Sequence, residues 1–471
     1  MKTVMTRALG VFVAAAIFIS GARPVAAEGP AESLAGDLAA ARTIRGFGAI
    51  GDGRADDTAA IEKAVAAGGA VRIGRGVYRV TRPIVVALDK VGPVSFLGDG
   101  TGRIVMAGPG PALRLVGTHQ GTADPASVKP GVWQHERTPM VDGLEIVGDD
   151  PQAGGIEADG TVQLTVTRTV IRNVVHAVHF VRRNRNAIIA NCHLYENRGA
   201  GIFFDDVNQH QTNVTGCHIS YNAGGGVVAR GGDVRNVHLT GCDIEANMAP
   251  DAPATANVLV DCAGGRAGTA GTAEIAITGC TIQHSDNCPE SANIRYLGSD
   301  AKDRRWGHLT ITGNVLSDVQ WNIDLRKARG VTIVGNTFWM GFAGDLRAEE
   351  CSNVVVGANN FDRNPAYAYG RSLQARGGVV FRNCRDCSLV GLHVSGVQGT
   401  AAGLVLEKCR RMLVANATIL DCENAGLLAD QLADSRVTGC LIRSDLARTK
   451  PWVAIKVVGG QGNVIERSAG K

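Results

Sequence analysis

The chain repeats itself, and this constrains its fold more than any other feature. Short apolar stretches ending in a tight corner recur: Ile189-Ala190-Asn191-Cys192, Val214-Thr215-Gly216-Cys217, Leu239-Thr240-Gly241-Cys242 and Ile277-Thr278-Gly279-Cys280. The theme continues through Ile311-Thr312-Gly313-Asn314, Ile333-Val334-Gly335-Asn336 and Val437-Thr438-Gly439-Cys440. Cys192, Cys217 and Cys242 lie 25 residues apart and later units 22 to 38 apart, as fixed corners joined by loops of varying length require. Each unit carries a second short strand after an Asn-Gly-rich turn, as in Gly201-Ile202-Phe203-Phe204, Gly226-Val227-Val228-Ala229 and Asn257-Val258-Leu259-Val260. Strands this short cannot bury a face alone. Stacked turn on turn, about 4.8 Å apart, they form continuous parallel sheets around a shared dry interior. The pattern therefore predicts an all-β, single-stranded right-handed parallel β-helix from about Gly46 to Gly460. The hand follows the preference of parallel crossover connections.

Composition agrees. Apolar residues make up 45% of the 471 residues, aromatic residues only 5%, and there are 61 glycines. That balance suits Val, Ile and Leu strands between tight turns, where glycine supplies positive φ without steric cost. Twelve cysteines in an exported chain would ordinarily suggest disulfides. Their placement at one corner of successive units predicts instead an interior column of free thiols acting as small hydrophobes. The pair Cys384 and Cys387 lacks a second pair to complete a metal site, and both are assigned to coil corners.

Residues 1–27 read as an export signal: positive charge at Lys2 and Arg7, an apolar run Ala8–Ile19, then Val25-Ala26-Ala27 before Glu28. The run is 12 residues, short for a membrane crossing; an uncleaved anchor is the alternative. Removing the signal takes away Lys2, Arg7 and Arg23 and leaves a nearly neutral chain from a starting net charge of +4, so no global field favours nucleic acid. The remaining divisions expected are a linker at 28–44, the N-terminal cap and first coils at 45–115, the β-helix proper at 116–460 and a C-terminal tail at 461–471. No integral membrane span is expected once the signal is gone.

The most specific motif is Phe47-Gly48-Ala49-Ile50-Gly51-Asp52-Gly53-Arg54-Ala55-Asp56-Asp57-Thr58, continuing through Ala59–Ala64, Gly69–Ile73 and Gly76–Val80. It resembles the N-terminal signature of the pectate-lyase superfamily, shared by rhamnogalacturonase-like and epimerase-like proteins and by phage tailspike depolymerases. The resemblance covers about Arg45–Ile84 and implies a pectin-lyase-like solenoid acting on or gripping polysaccharide. Read from its residues, the segment is structural: Asp56 or Asp57 caps a short helix running to about Ala67, which closes the open end of the solenoid. The sequence departs from sharper catalytic signatures of that superfamily. Asp205-Asp206 matches one polygalacturonase motif, Gly307-His308-Leu309 lacks the second glycine of another, and Asp150-Pro151 is followed by Gln152 where alginate epimerases have His. The fold carries over; a particular activity does not.

Aligning the coils yields a candidate site. If Ile156, Val178, Ile202, Val227, Val258, Ile294 and Ile323 point inward, strand alternation sets their neighbours outward. One outward row is Glu157, His179, Phe203, Val228, Leu259, Arg295 and Asp324; the next is Asp159, Val181, Asp205, Arg230, Asp261, Leu297 and Arg326. The candidate catalytic residues are Asp159, Asp205, Asp261, His179 and Arg230, with Glu157, Arg182, Asp206 and Trp133 as candidate substrate contacts. Two chemistries stay open. Asp159 and Asp205, two coils and so ~9–10 Å apart, suit inverting glycoside hydrolysis. Alternatively the aspartates hold Ca²⁺ and neutralise a uronate while His179 or Arg230 abstracts the α-proton, the imidazole being the easier base. Insertions at Thr118–Met140, with Trp133 and His135, and at Asp362–Gly378, with Tyr367, Tyr369 and Arg371, are expected to wall the groove. The expected function is an exported carbohydrate-active protein, a lyase or hydrolase of uronate-containing polysaccharide. A non-catalytic polysaccharide-binding solenoid is the alternative.

Overall fold

A computed structural model describes residues 43–121, 123–250, 255–264, 269, 271–300, 307–446 and 451–466. The expected export signal and nearly all of the expected linker lie outside the described residues. From Thr43 onward the chain winds as a right-handed parallel β-solenoid with few helices. Each coil visits three faces in order, as in Gly225–Arg230 on face 1, Asp233–Thr240 on face 2 and Asp243–Glu245 on face 3. Face 3 is a 15-stranded sheet; faces 1 and 2 share one of 27 strands, because strands such as Ala200–Thr215 run across both.

Register is uniform along face 1. Ile156, Val178, Ile202, Val227, Val258, Ile294 and Ile323 pair in succession, each buried. A slip of one residue would turn this apolar column out and the charged rows in, so burial itself pins the alignment. Phe180 stacks on Phe204 at 5.2 Å and Phe338 on Phe361 at 4.4 Å inside the same column architecture.

Corners are held by side-chain ladders that the repeat motif encodes. Cys192, Cys217, Cys242 and Cys280 are buried free thiols at the corner leading into face 3. Each donates to a carbonyl two residues back, at 3.3–3.5 Å. At Asn314 the column changes chemistry: its Oδ1 accepts from the Cys280 amide at 2.9 Å, and its Nδ2 donates to Asn336, which donates to Asn359. The Gly-Cys and Gly-Asn variants of the repeat are thus the same corner. Cys384 and Cys387 are buried as well, in separate corners. A second ladder runs Asn197, Asn222, Asn247, Asn257, Asn293, Asn322 and Asp345, each amide donating to the next oxygen at 2.7–3.0 Å. It satisfies polar groups that burial would otherwise penalise. Burial pushes the terminal Asp345 carboxyl up to about 7.

The N-terminal helix, Thr58–Ala66, buries Ile61, Ala64 and Val65 against the first coils. Its two candidate caps divide the work. Asp56 Oδ1 accepts from the Thr58 amide at 3.0 Å, whereas Asp57 turns back to accept from the Ile50 and Gly51 amides at 2.6 and 3.1 Å. Gly51, at φ +67°, leaves no room for a Cβ, which would lie 2.5 Å from the Tyr78 ring. The signature segment is therefore a folding device. At the other end, Val464–Ile465 still pairs with Arg436 and Val437, so the ladder continues beyond residue 460. Among the described residues no helix is long and apolar enough to cross a membrane.

Candidate functional site

The outward rows of face 1 are those the alternation dictates: Glu157, His179 and Phe203 pair in one row, Asp159, Val181, Asp205, Arg230 and Asp261 in the next. Near the start of the rows the side chains converge on His179. Its Nε2 lies 3.1 Å from Asp205 Oδ2 and its Nδ1 3.8 Å from Glu157 Oε2. Glu157 is held in turn by Arg114, one coil earlier, at 2.8 Å. Phe203 stacks nearly parallel on the His179 ring at 5.3 Å, fixing its plane.

His176, just before the strand, completes the group. Its ring is 5.1 Å from His179 and 4.6 Å from Phe203, and Nδ1 accepts from the Ala200 amide at 3.0 Å. Burial first, and the adjacent His179 second, bring its pKa down to about 4. It is a neutral imidazole at physiological pH, with its proton on Nε2. A cleft of about 310 Å³ opens beside these rings, bordered by Pro111, Gln152, Gly154, Glu157, His176 and His179. His176 and Arg114 were outside the sequence-derived set. Their signal was faint: Arg114 sits one coil before Glu157 in the same row, and His176 lies in the turn three residues before His179.

The other expected residues are placed differently. Asp159 is engaged by Arg182, whose Nε donates to Oδ1 at 2.6 Å, and only Asp205 of the carboxylate row stands substantially open. Arg182 and Asp206 occupy left-handed corner positions, φ 54° and 46°. Asp206 accepts from the Gly232 amide of the next coil at 2.9 Å. Asp261 lies 4.0 Å from Arg230 and also accepts from the Ala263 and Gly264 amides at 3.0 Å each. Trp133 is half-buried against Val128, Val132 and Val162, so it fastens the Thr118–Met140 insertion to the barrel.

Farther along, the row of Glu157 and His179 does not face solvent. Arg295, Asp324 and Arg347 are buried although their strands point them outward. Asp324 accepts from Arg295 Nε at 2.8 Å and from Arg347 Nε and a terminal nitrogen, both at 2.8 Å. Arg326 approaches at 3.3 Å. The Arg347 guanidinium lies over the Trp321 ring at 4.5 Å and 3.3 Å from Glu290. Burial alone would raise the Asp324 pKa; the guanidiniums, Arg347 foremost, hold it down to about 2. The alternating signs along the row were visible in the sequence, but the roof over them was not.

Two further clefts line the solenoid. In one of about 280 Å³, Trp339 meets Tyr367 of the Asp362–Gly378 insertion edge to face at 5.2 Å, beside Arg363 and Asn364. The other, about 430 Å³ on face 2, is lined largely by amides: Gln163, Asn186, Gln211, Asn213 and Asn236.

A family model described as "Right handed beta helix region" matches residues 134–282. Among solved structures, tailspike protein 3 of bacteriophage CBA120 aligns with TM-score 0.54 at 15% identity, covering 93% of this chain and 63% of that one. Pre-mature gene product 12 of bacteriophage phi29 aligns with TM-score 0.58 at 14% identity, covering 93% and 58%. The chain thus spans about three fifths of the length of these phage proteins. At such identities the likeness is one of fold. No curated protein matches the sequence.

Proposed function

We propose that this chain is an exported polysaccharide lyase that takes a uronate-containing chain across face 1, with His179 as the proton-transfer group. The observation that carries the reading is His179 itself, set between Glu157 and Asp205 beside an open cleft. Imidazole is the side chain suited to exchanging a proton near neutral pH. In β-elimination the base removes the proton α to the uronate carboxyl group. The electron pair forms the new C–C double bond as the glycosidic C–O bond breaks, and the departing oxygen takes a proton from solvent. Asp205 orients the imidazole, Phe203 fixes its plane, and Arg114 and Arg230 supply positive charge for the uronate. The resemblance of residues 45–84 to the pectate-lyase signature supports a polysaccharide as the ligand; Asp159 and Asp261 are taken up by Arg182 and by Arg230 and backbone amides, so no Ca²⁺ is assigned to Asp205.

A second reading is favoured by the face 2 cleft. Its amide lining can hydrogen-bond sugar hydroxyls and contains no carboxylate, as a non-catalytic glycan grip would. One experiment separates the readings. The protein is incubated with polyuronates and neutral glycans, with and without Ca²⁺, while reducing ends and the ultraviolet absorbance of unsaturated products are followed together. Ends appearing with absorbance indicate elimination, and ends without absorbance indicate hydrolysis. Glycan binding with neither establishes the grip and overturns the enzyme.

A further inference from the structure

Face 3 carries a cluster that the face 1 chemistry does not use. His218 and Asp243 are paired neighbours on adjacent strands, and Glu245 lies two residues beyond Asp243 on the same side. His218 Nε2 is 2.9 Å from Asp243 Oδ2 and 3.6 Å from Glu245 Oε1. His284, at the end of the next coil's face 3 strand, brings its Nε2 to 3.7 Å from the other oxygen of Glu245. One donor atom each from His218, Asp243 and Glu245 can be chosen so that all lie within 4.8 Å of one another.

The electrostatics around this cluster are unbalanced. On the same face, Glu145 sits between two guanidiniums, Arg103 at 2.5 Å and Arg172 at 3.0 Å. Asp243 and Glu245 have no such partner: among the described residues no Lys or Arg forms an ion pair with either, Asp243 faces His218, and Glu245 faces His218 and His284 and accepts from Gln283 Nε2 at 3.1 Å. Asp243 Oδ1 is buried without a hydrogen-bond partner, and His218 Nε2, though close to two carboxylates, makes no well-aligned hydrogen bond. The geometry points to a divalent transition-metal site on face 3, with His218, Asp243 and Glu245 as ligands and His284 within reach as a fourth.

Donors that share one Zn²⁺ at ~2.0–2.2 Å stand about 3.0–3.5 Å apart, close to the 2.9 and 3.6 Å that separate His218 from the two carboxylates. Imidazole with two carboxylates suits zinc and its first-row neighbours rather than Ca²⁺, which prefers an all-oxygen shell. A bound ion would join three successive coils. Through His284 it would also brace the segment that carries Asp286 to Arg371 and Glu290 to Arg347.

The test uses the full chain freed of metal by a chelator and titrated calorimetrically with Zn²⁺, then with Ca²⁺. The expected result is one Zn²⁺ per chain, a raised melting temperature as for any ligand of the native state, and no Ca²⁺ uptake at this face. His218→Ala and Glu245→Gln should each weaken Zn²⁺ binding by more than about tenfold while leaving the metal-free melting temperature unchanged. Co²⁺ substitution should give ligand-field bands without thiolate charge transfer, separating this site from the cysteine columns. Absent stoichiometric uptake, uptake indifferent to both substitutions, or a thiolate spectrum would each overturn the assignment. If a substituted chain fails to fold, the uptake and Co²⁺ spectrum of the unsubstituted protein decide alone.

Discussion

Face 1 carries two charged clusters on one pair of rows, and they behave as different materials. Around His179 the outward side chains remain in contact with water: in the row of Asp324, Glu157 keeps 17% and His179 21% of their side-chain surface, and Asp205 in the next row keeps 45%. Four coils beyond Phe203, Asp324 keeps 0%. Both clusters are set by the same strand alternation and separated by the apolar Val228 and Leu259. The difference lies above the sheet. Trp321, the Thr255 and Glu290 carbonyls and the Glu290 carboxylate close over the Arg295–Asp324–Arg347 row, and among the described residues nothing equivalent closes over His179. Charge removed from water must be matched by opposite charge or it destabilises the fold, so the sealed cluster is committed to structure. Charge left in water remains able to exchange protons and meet a ligand.

The contrast can be broken most severely at its sealed end. Asp324→Ala leaves Arg295 and Arg347 buried without their common anion and should cost about 3–5 kcal/mol in denaturant unfolding. A loss under ~1 kcal/mol would mean the guanidiniums reach solvent and the two clusters are alike. At the open end, His179→Gln should lower cleavage of a polyuronate by about 10² or more, with little change in melting temperature. Asp205→Asn should act in the same direction. Full turnover in both would remove the proposed site from this face.

Acid titration sharpens the comparison further, because the clusters respond in different windows. His176 has a folded pKa of about 4, below the imidazole value of about 6.5 in an unfolded chain. Its contribution is complete above about pH 6.5 and is lost as pH falls towards 4. Asp324, held at about 2 against about 3.9 unfolded, keeps its contribution above pH 4 and loses it only below. Asp345, raised to about 7, works in the opposite sense and gains stability as pH falls from 7 to 4, so the His176 stage is resolved by comparing melting temperature against pH in the native chain and in a variant. His176→Gln, which retains an acceptor for the Ala200 amide, should flatten that stage alone; an unchanged slope between pH 6.5 and 4 would show that His176 is not its source. The smallest effect is expected at Arg230, exposed and 4.0 Å from Asp261. Arg230→Ala should alter stability by less than ~1 kcal/mol, and a larger loss would place that pair with the sealed cluster.

The sequence alone determined the solenoid, its register and the order of residues along each row. Those follow from local rules: a period of two within strands, a recurring corner, and the cost of burying charge if the register slips by one. The Gly-Cys and Gly-Asn corners were legible for the same reason, since each must place a small or self-satisfying side chain inside. Which outward residues are free to act was decided only by the tertiary structure. Asp159 is occupied by Arg182, 23 residues away, Asp206 by the Gly232 amide 26 away, and Arg347 meets Glu290 across 57 residues. Alternation settles which side of a sheet a side chain leaves from. Solvent access depends on loops and neighbouring coils, whose reach over the sheet no local period encodes.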